Sequence, residues 1–386
     1  MAGRLEDACE VAVIGAGAIG LSVAGHLEKA GVHDIVVFEA EAAPGHGSSS
    51  RANGGFRAQF TTAINIEFSR YSIAEFERFD ERSGGVMGFH QTGYLLFTAD
   101  AEREAALRAA SELQRSLGVD TEWLTPDDIV ARAPLVRREG LRAGSFHARD
   151  GFLDPHGLVS ALRRDARRAD LRTNRPVVAI EEIDDGFEIT TPVETTKTRW
   201  VVNAAGAHAR AIGAMLGIEI PVDPVRRNLA FVPEESAGPL IPMCVDLDTG
   251  VLVRREVHGG YVIAYSNPND AAGWETSVDP RFLDDVAERI GNRFPSLEGI
   301  PIDPRHCWAG LYPETVDHHA VVGAAPGHPR FIICGGFGGH GLMHSPAAGR
   351  AVAELIVHGE CTTFDLHPLR PARFAENDLV VETAVL

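Results

Sequence analysis

A strand–glycine–helix–strand run near the start limits this chain to few folds. Residues 10–14, EVAVI, read as a short buried strand, and Gly15-Ala16-Gly17-Ala18-Ile19-Gly20 follows at once. Residues 20–30 read as a helix that stops at Gly31, a residue suited to the position just past a helix end. Residues 34–38, DIVVF, read as a second strand with Glu39 and Ala40 at its end. Together they form one βαβ unit of about 30 residues.

Each part of that unit has a physical use. Gly15 permits the tight turn, Gly17 lets backbone approach a diphosphate, and Gly20 lets helix and strand pack closely. The helix start offers N–H groups and the positive end of its dipole to phosphate. Glu39 lies 19 residues after Gly20 and can accept hydrogen bonds from a ribose diol. It would repel a 2′-phosphate, which argues against NADP. The motif predicts a dinucleotide and does not separate FAD from NAD.

The rest of the chain is longer than one domain needs. At 386 residues, two domains are expected. A net charge of −18 repels phosphate backbones and excludes nucleic acid as a partner. The five cysteines (Cys9, Cys244, Cys307, Cys334, Cys361) are scattered and form no CxxC pair. Reduced thiols and a cytoplasmic location follow. The first ten residues lack a signal-peptide stretch, and no apolar run suggests a membrane span.

Helical patterns are expected at 62–79 (Ile64, Phe68, Tyr71, Phe76), 101–117, from Thr125-Pro126 onward, 156–169, 281–293 and 346–358. Strands are expected at 176–181, 186–191, 199–203 and 331–334. Alternating runs dominate 222–312. Residues 41–60, rich in Gly and Ser, read as a loop over a ligand.

Four further segments sharpen the dinucleotide. They are GHGSSSRANGGFRAQF (45–60), WVVNAAG (200–206), WAGLYPETVDHHAVVG (308–323) and GGFGGHGLMHSPAAG (335–349). In this order they resemble the D-amino-acid oxidase/sarcosine oxidase superfamily of FAD-dependent oxidoreductases. The last two are most similar to the flavin subunit of L-proline dehydrogenases and related amino-acid dehydrogenases or oxidases. The resemblance spans essentially the whole chain. It implies an α/β fold with an α+β second domain: a Rossmann-like FAD-binding domain (1–84, 147–221 and 313–386) interleaved with a β-rich substrate domain (85–146 and 222–312).

The resemblance also distributes roles. Ser48, Ser49, Ser50 and Arg51 supply donors near the pyrophosphate and flavin loop. Gly54 and Gly55 let backbone approach the flat ring, and Ala205 and Gly206 pass beneath the cofactor. Val177 contacts adenine by the same analogy. Gly310 and Leu311 stand at the ring, and Gly338, Gly339, His340, Gly341, Leu342 and Met343 run along its pyrimidine edge. Ser345 suits an N-cap and Pro346 the first helical position. A helix start there stabilises negative charge developing on reduced flavin.

An amino-acid substrate calls for an arginine fork. Arg57, in GGFRAQF, matches the carboxylate-binding arginine of sarcosine oxidases, and Arg254 is a weaker second candidate. Those oxidases carry a second carboxylate ligand, a lysine, where this chain has Met343. The substrate is then larger or more apolar on that side, or is held there by His344, Tyr261 or Tyr265. Gly310 stands where monomeric sarcosine oxidases attach flavin through a cysteine, and His46 lies too early to make a bond, so FAD is expected to be non-covalent.

His318, His319, His340 and His344 invite a metal, but their glycine-flanked placement offers no helical ligand pair, and none is expected. The reaction implied is oxidation of an α-C–N bond by hydride transfer to flavin, giving an imine. The substrate would be a proline-, N-methyl- or D-amino-acid-like molecule. Oxygen or another acceptor takes the electrons. No lysine lies around 262–266, where sarcosine oxidases place an oxygen-activating one, which favours a dehydrogenase. Oligomerisation stays open. The alternatives are a 2-hydroxy-acid oxidase or dehydrogenase, an FAD subunit of a larger electron-transfer complex, and an NAD-only dehydrogenase.

Overall fold

A computed structural model describes residues 5–234, 238–267 and 269–384. Two eight-stranded sheets carry the architecture. The first has the order Val321–Ala325, His328–Gly335, Glu194–Asn203, Leu5–Ile14, Ile35–Phe38, Asp170–Arg172. The pairs from His328–Gly335 to Asp170–Arg172 are parallel, and Val321–Ala325 is an antiparallel edge. A hairpin, Ala179–Ile183 with Gly186–Thr190, joins the outer half of Glu194–Asn203.

Burial on both faces explains the continuous apolar runs of this sheet. Val11 and Val13 face one core cluster, Ala12 and Ile14 the other. The helix Ala18–Lys29 packs on the first face beside Ser345–His358 and Pro155–Asp165. At the contact Gly349 faces Ser22 and His26, where a Cβ would lie 2.4 Å from the Ser22 hydroxyl.

The second sheet runs Cys307–Glu314, Asp223–Val232, Tyr261–Tyr265, Val251–Arg255, Met243–Asp246, Tyr94–Thr98, Ala143–His147, Glu122–Leu124. Period-2 alternation sorts its side chains between two faces. Leu95 and Phe97 meet Tyr261, Ile263 and Tyr265 on one face, with Phe282, Val286 and Ile290 of the helix Pro280–Arg293. Those three helical positions recur every four residues and are buried. Tyr94 and Leu96 meet Met243, Val245 and Leu252 on the other face. That second face also meets Leu107 of the helix Ala101–Ser116 and Phe152, and its Tyr94, Leu252 and Ala264 line the site.

Helix starts follow local rules. Thr125 and Asp128 form a reciprocal capping box before Pro126–Arg132. Asp100, Asp154 and Asp279 cap Ala101–Ser116, Pro155–Asp165 and Pro280–Arg293. The last long helix differs from expectation. It begins at Ser345, with His344 in the cap position, and the Ser345 hydroxyl donates back to the Leu342 carbonyl at 2.9 Å.

Candidate active site

The loops that leave the carboxyl ends of the parallel strands converge, as open α/β sheets require of a ligand site. The turn after Leu5–Ile14 has Gly15 at φ 103°, and a Cβ there would lie 2.5 Å from the Ala204 carbonyl oxygen. A Cβ on Gly20 would lie 1.9 Å from the Gly15 carbonyl oxygen. The glycines therefore let this turn, the helix and the VVNAAG strand end touch.

The Glu39 carboxylate accepts from the amides of Ala16 (2.8 Å) and Glu41 (2.9 Å), which fixes it at the crest of the turn. Ala40 follows it at the exposed rim. The Arg175 amide donates to the Glu39 carbonyl at 2.8 Å, bringing the 173–178 segment alongside. Val177 and Ala205 edge the same apolar cluster, and Gly206 follows Ala205.

The start of the helix Ala18–Lys29 has no acid in its first turn and no cap from its own N-cap residue. The helix's own first turn therefore sets no negative charge against a diphosphate. Ser49 Oγ accepts from the Ala18 amide at 3.0 Å, which sets a hydroxyl beside the same position.

The 48–51 loop is laced to the second sheet. Ser48 donates to the Leu311 carbonyl (2.6 Å), Arg51 to the Ala309 carbonyl (2.9 Å), and the Trp308 indole to the Arg51 carbonyl (3.0 Å). Gly310 leaves room for the Arg51 stem. Ser50 faces a separate cleft with Trp308 and Arg254. Arg254 pairs there with Glu256 and lies 4.5 Å over the Phe152 ring. It is not in the cleft that holds Arg57.

That cleft brings together Asn53, Arg57, Tyr94, Tyr312, Ser266, Gly339, His340 and Met343. Two glycines shape it. A Cβ on Gly55 would lie 2.1 Å from the Tyr94 hydroxyl, and one on Gly339 would lie 2.6 Å from the Tyr312 ring. The predicted glycines thus admit tyrosines. Gly54, at φ 79°, packs against the Leu153 carbonyl. Gly338 sits against Glu314, Gly341 against Phe337, and Leu342 and Met343 are buried in the first core.

Arg57 is buried at 2% exposure. It donates to the carbonyls of Gln59 and Ala384, and its guanidinium lies 4.0 Å from the Phe60 ring centroid. Burial lowers its pKa, while Tyr94, Glu382 and Asp150 act in the opposite sense. It stays charged. Burial pushes the Tyr94 hydroxyl well above the usual phenol range and raises Tyr312 as well. Both remain donors.

His340 and His344 stand one helical turn apart, with the His344 amide on the His340 carbonyl at 2.9 Å. This is the helical ligand spacing that the sequence was not expected to hold. Their rings turn to other partners. His340 meets Phe60 edge-on, and His344 Nε2 lies 2.8 Å from the Ser69 hydroxyl. Burial holds both pKa values well below the ordinary histidine value. Among the described residues no group of three or more His, Cys, Asp or Glu could hold a metal ion.

Three further predicted residues stand outside the cleft: Tyr261, Tyr265, which shares the face of Tyr261, and His344. Tyr261 faces the helix Pro280–Arg293, and its hydroxyl accepts from Arg255 at 2.6 Å. Alternation explains this, since Ala264 of the same strand lines the cleft instead. His344 lies one layer behind His340. Tyr94 and Tyr312 were missed. Tyr312 adjoins Leu311 in a segment already singled out, so a signal was present. Tyr94 sits in a uniformly apolar run, YLLFT, and carried none.

The comparisons with known proteins agree with this geometry. Residues 10–355 match the family described as DAO: FAD dependent oxidoreductase. Mitochondrial dimethylglycine dehydrogenase of Mus musculus is 30% identical over 392 residues, which takes in 96% of this chain and 45% of that protein. The chain therefore spans about half the length of that relative. The crystal structure of L-proline dehydrogenase from P. horikoshii has 28% identity and a TM-score of 0.91, with 97% of this chain and 100% of that one covered. Glycine oxidase from Geobacillus kaustophilus has 25% identity and a TM-score of 0.84, with 95% and 99% covered. The first-sheet turns fit the FAD that this family uses, and the chain is a member of the DAO family of FAD-dependent oxidoreductases.

Proposed function

We propose that this protein oxidises the α-C–N bond of an amino acid or secondary amine. One observation carries the reading: a buried, charged arginine faces a cleft whose lining, among the described residues, also holds two protonated tyrosines and no acid. Such a cleft selects a carboxylate and disfavours a second cation. The relatives named for dimethylglycine and proline support the same class.

The residues have distinct parts. Arg57 binds the carboxylate through its planar fork. Tyr94 and Tyr312 donate hydrogen bonds beside it. The positive charge of Arg57 lowers the proton affinity of the substrate amine and favours its neutral form. Met343 replaces a charged side chain with an apolar wall. Gly15 to Gly20, Glu39, Ser49, Val177 and Ala205 would hold the ADP half of FAD. Asn53, Gly339, His340 and Gly310 would border the ring. When bound, FAD supplies the hydride acceptor.

We hold the cofactor to be non-covalent. No cysteine stands at Gly310, and His46 is exposed. Flavin that stayed with acid-precipitated protein would contradict this. The domain division at 1–84, 147–221 and 313–386 against 85–146 and 222–312 is supported by sheet membership, although the strand Cys307–Glu314 runs across its last boundary. Unpaired thiols support a reducing compartment such as the cytoplasm. Among the described residues no helix is long and apolar enough to cross a membrane.

Steady-state turnover with oxygen and with a dye acceptor tests the reading. L-proline, N-methyl amino acids and D-amino acids are compared with matched 2-hydroxy acids. Amino acids turn over, with the dye preferred to oxygen. Turnover of hydroxy acids alone would refute the C–N assignment.

A further inference from the structure

The segment 379–384 lies far from Arg57 in sequence and meets it in space. Glu382 is fully buried. Its carboxylate accepts from the Thr61 amide (3.0 Å), the Thr61 hydroxyl, the Thr62 hydroxyl (2.7 Å), Asn65 Nδ2 (3.1 Å) and its own neighbour, the Ala384 amide (2.9 Å). The Glu382 amide donates to the Asp317 carbonyl at 3.1 Å. Two residues on, the Ala384 carbonyl accepts from Arg57 Nη2.

A buried carboxylate costs free energy unless hydrogen bonds compensate it. Burial alone would raise the Glu382 pKa, but the donors from Thr61, Thr62, Ala384 and Asn65 outweigh it and hold the carboxyl below its ordinary value. Among the described residues Glu382 makes no ion pair, so its donors are neutral, and its charge is felt at Arg57. A staple that served packing alone would need no charge.

The other anchor of Arg57 is rigid. Gln59, whose carbonyl takes Nη1, is itself held by the Tyr94 carbonyl (3.0 Å), Asp150 (3.1 Å) and the Ser145 hydroxyl (2.7 Å). Two carbonyls and the Phe60 ring therefore set the plane of the guanidinium. Only one of them, on the 379–384 strap, depends on a contact between distant chain segments.

We infer that Glu382 is a positioning residue of the substrate site: it holds the Ala384 carbonyl on Arg57 and so aims the remaining guanidinium N–H groups at the substrate carboxylate. The inference rests on the reading of Arg57 given above. Glu382 touches neither substrate nor cofactor. Its effect passes through the strap, and it acts on carboxylate binding rather than on hydride transfer.

The test uses Glu382→Ala and Glu382→Gln in the FAD-loaded protein. KM and kcat are measured for the preferred amino acid and for the matching amine without a carboxylate. Glu382→Ala raises KM for the amino acid by about ten-fold, equivalent to about 1.4 kcal/mol, and leaves kcat and the amine parameters unchanged. Glu382→Gln, which keeps the shape and part of the acceptor set, gives a smaller rise. In the flavin-free protein, calorimetric binding of a simple carboxylate weakens in the same order. If Glu382→Ala does not fold, Thr61→Val, which removes one hydroxyl from the carboxylate, gives the same selective change at smaller size. Equal changes for both substrates, or none, overturn the inference. Arg57→Lys in parallel separates the two claims. If it is selective while the Glu382 variants are not, only the strap's role falls. If it too is unselective, the reading of Arg57 falls.

Discussion

Arg57→Lys is the most informative change at the cleft. Lysine keeps the charge and much of the stem, so the electrostatics survive and the fork does not. Arg57 has five N–H donors, and two of them serve the Gln59 and Ala384 carbonyls. Those that remain can meet a carboxylate with two parallel bonds. A hydrogen bond to a charged group contributes about 1.5–3 kcal/mol. Lysine can replace one such bond, so roughly one is lost, which lowers kcat/KM by about 10–150-fold. The matching amine without a carboxylate loses nothing at this contact. The assay is therefore a ratio: kcat/KM for the amino acid over kcat/KM for the amine, wild type against variant. The ratio falls with the amino-acid term alone. A parallel fall of both terms would show that Arg57 organises the fold rather than the substrate. A stability cost is expected besides, because at least one of the two carbonyls is left unpaired, at about 1–3 kcal/mol. A lower Tm with an unchanged ratio would refute the role given to Arg57.

Further outcomes follow from packing and protonation. Gly20→Ala puts a Cβ where the Gly15 carbonyl oxygen lies at 1.9 Å, which displaces the turn at a cost of about 1–3 kcal/mol. Purified protein then carries less FAD, and a full flavin load would contradict the turn's role. His340 and His344 are held neutral by burial, so the unfolded chain takes up protons below about pH 6.5 that the folded chain refuses. Their contribution is complete above that pH and is lost as pH falls, at about 1.4 kcal/mol per pH unit for each histidine. Tm measured on both sides of this value falls on acidification, with a shallower slope in His344→Gln. A slope unchanged by that substitution would contradict the assignment.

The parts of this protein legible in its sequence are those built from local rules. The βαβ unit, Glu39 at the end of its second strand and the Thr125 capping box each lie within one short window. Long-range placement is where reading fails. Tyr94 and Tyr261 are both strand tyrosines. Alternation within a strand does not say which face the neighbouring domain covers. The order of the second sheet, with Met243 opposite Tyr94 and Arg255 opposite Tyr261, decides it. The 379–384 strap has no periodicity, and its partner Thr61 stands 321 residues away. His344 shares the glycine-rich segment of His340, but one further turn of helix puts it behind Phe60. The loop glycines stand out in the sequence, and in the fold Gly55 and Gly339 make room for Tyr94 and Tyr312.

In the proposed reaction an amino acid's α-C–H delivers hydride to FAD held beside Arg57. Anaerobic mixing tests it most directly. The FAD-loaded protein is combined with an amino acid, with the matched 2-hydroxy acid and with buffer, and the oxidised-flavin absorbance is followed. Bleaching by the amino acid alone is expected, with the imine or its hydrolysis product appearing in equal amount. Bleaching by the hydroxy acid and not by the amino acid would contradict it.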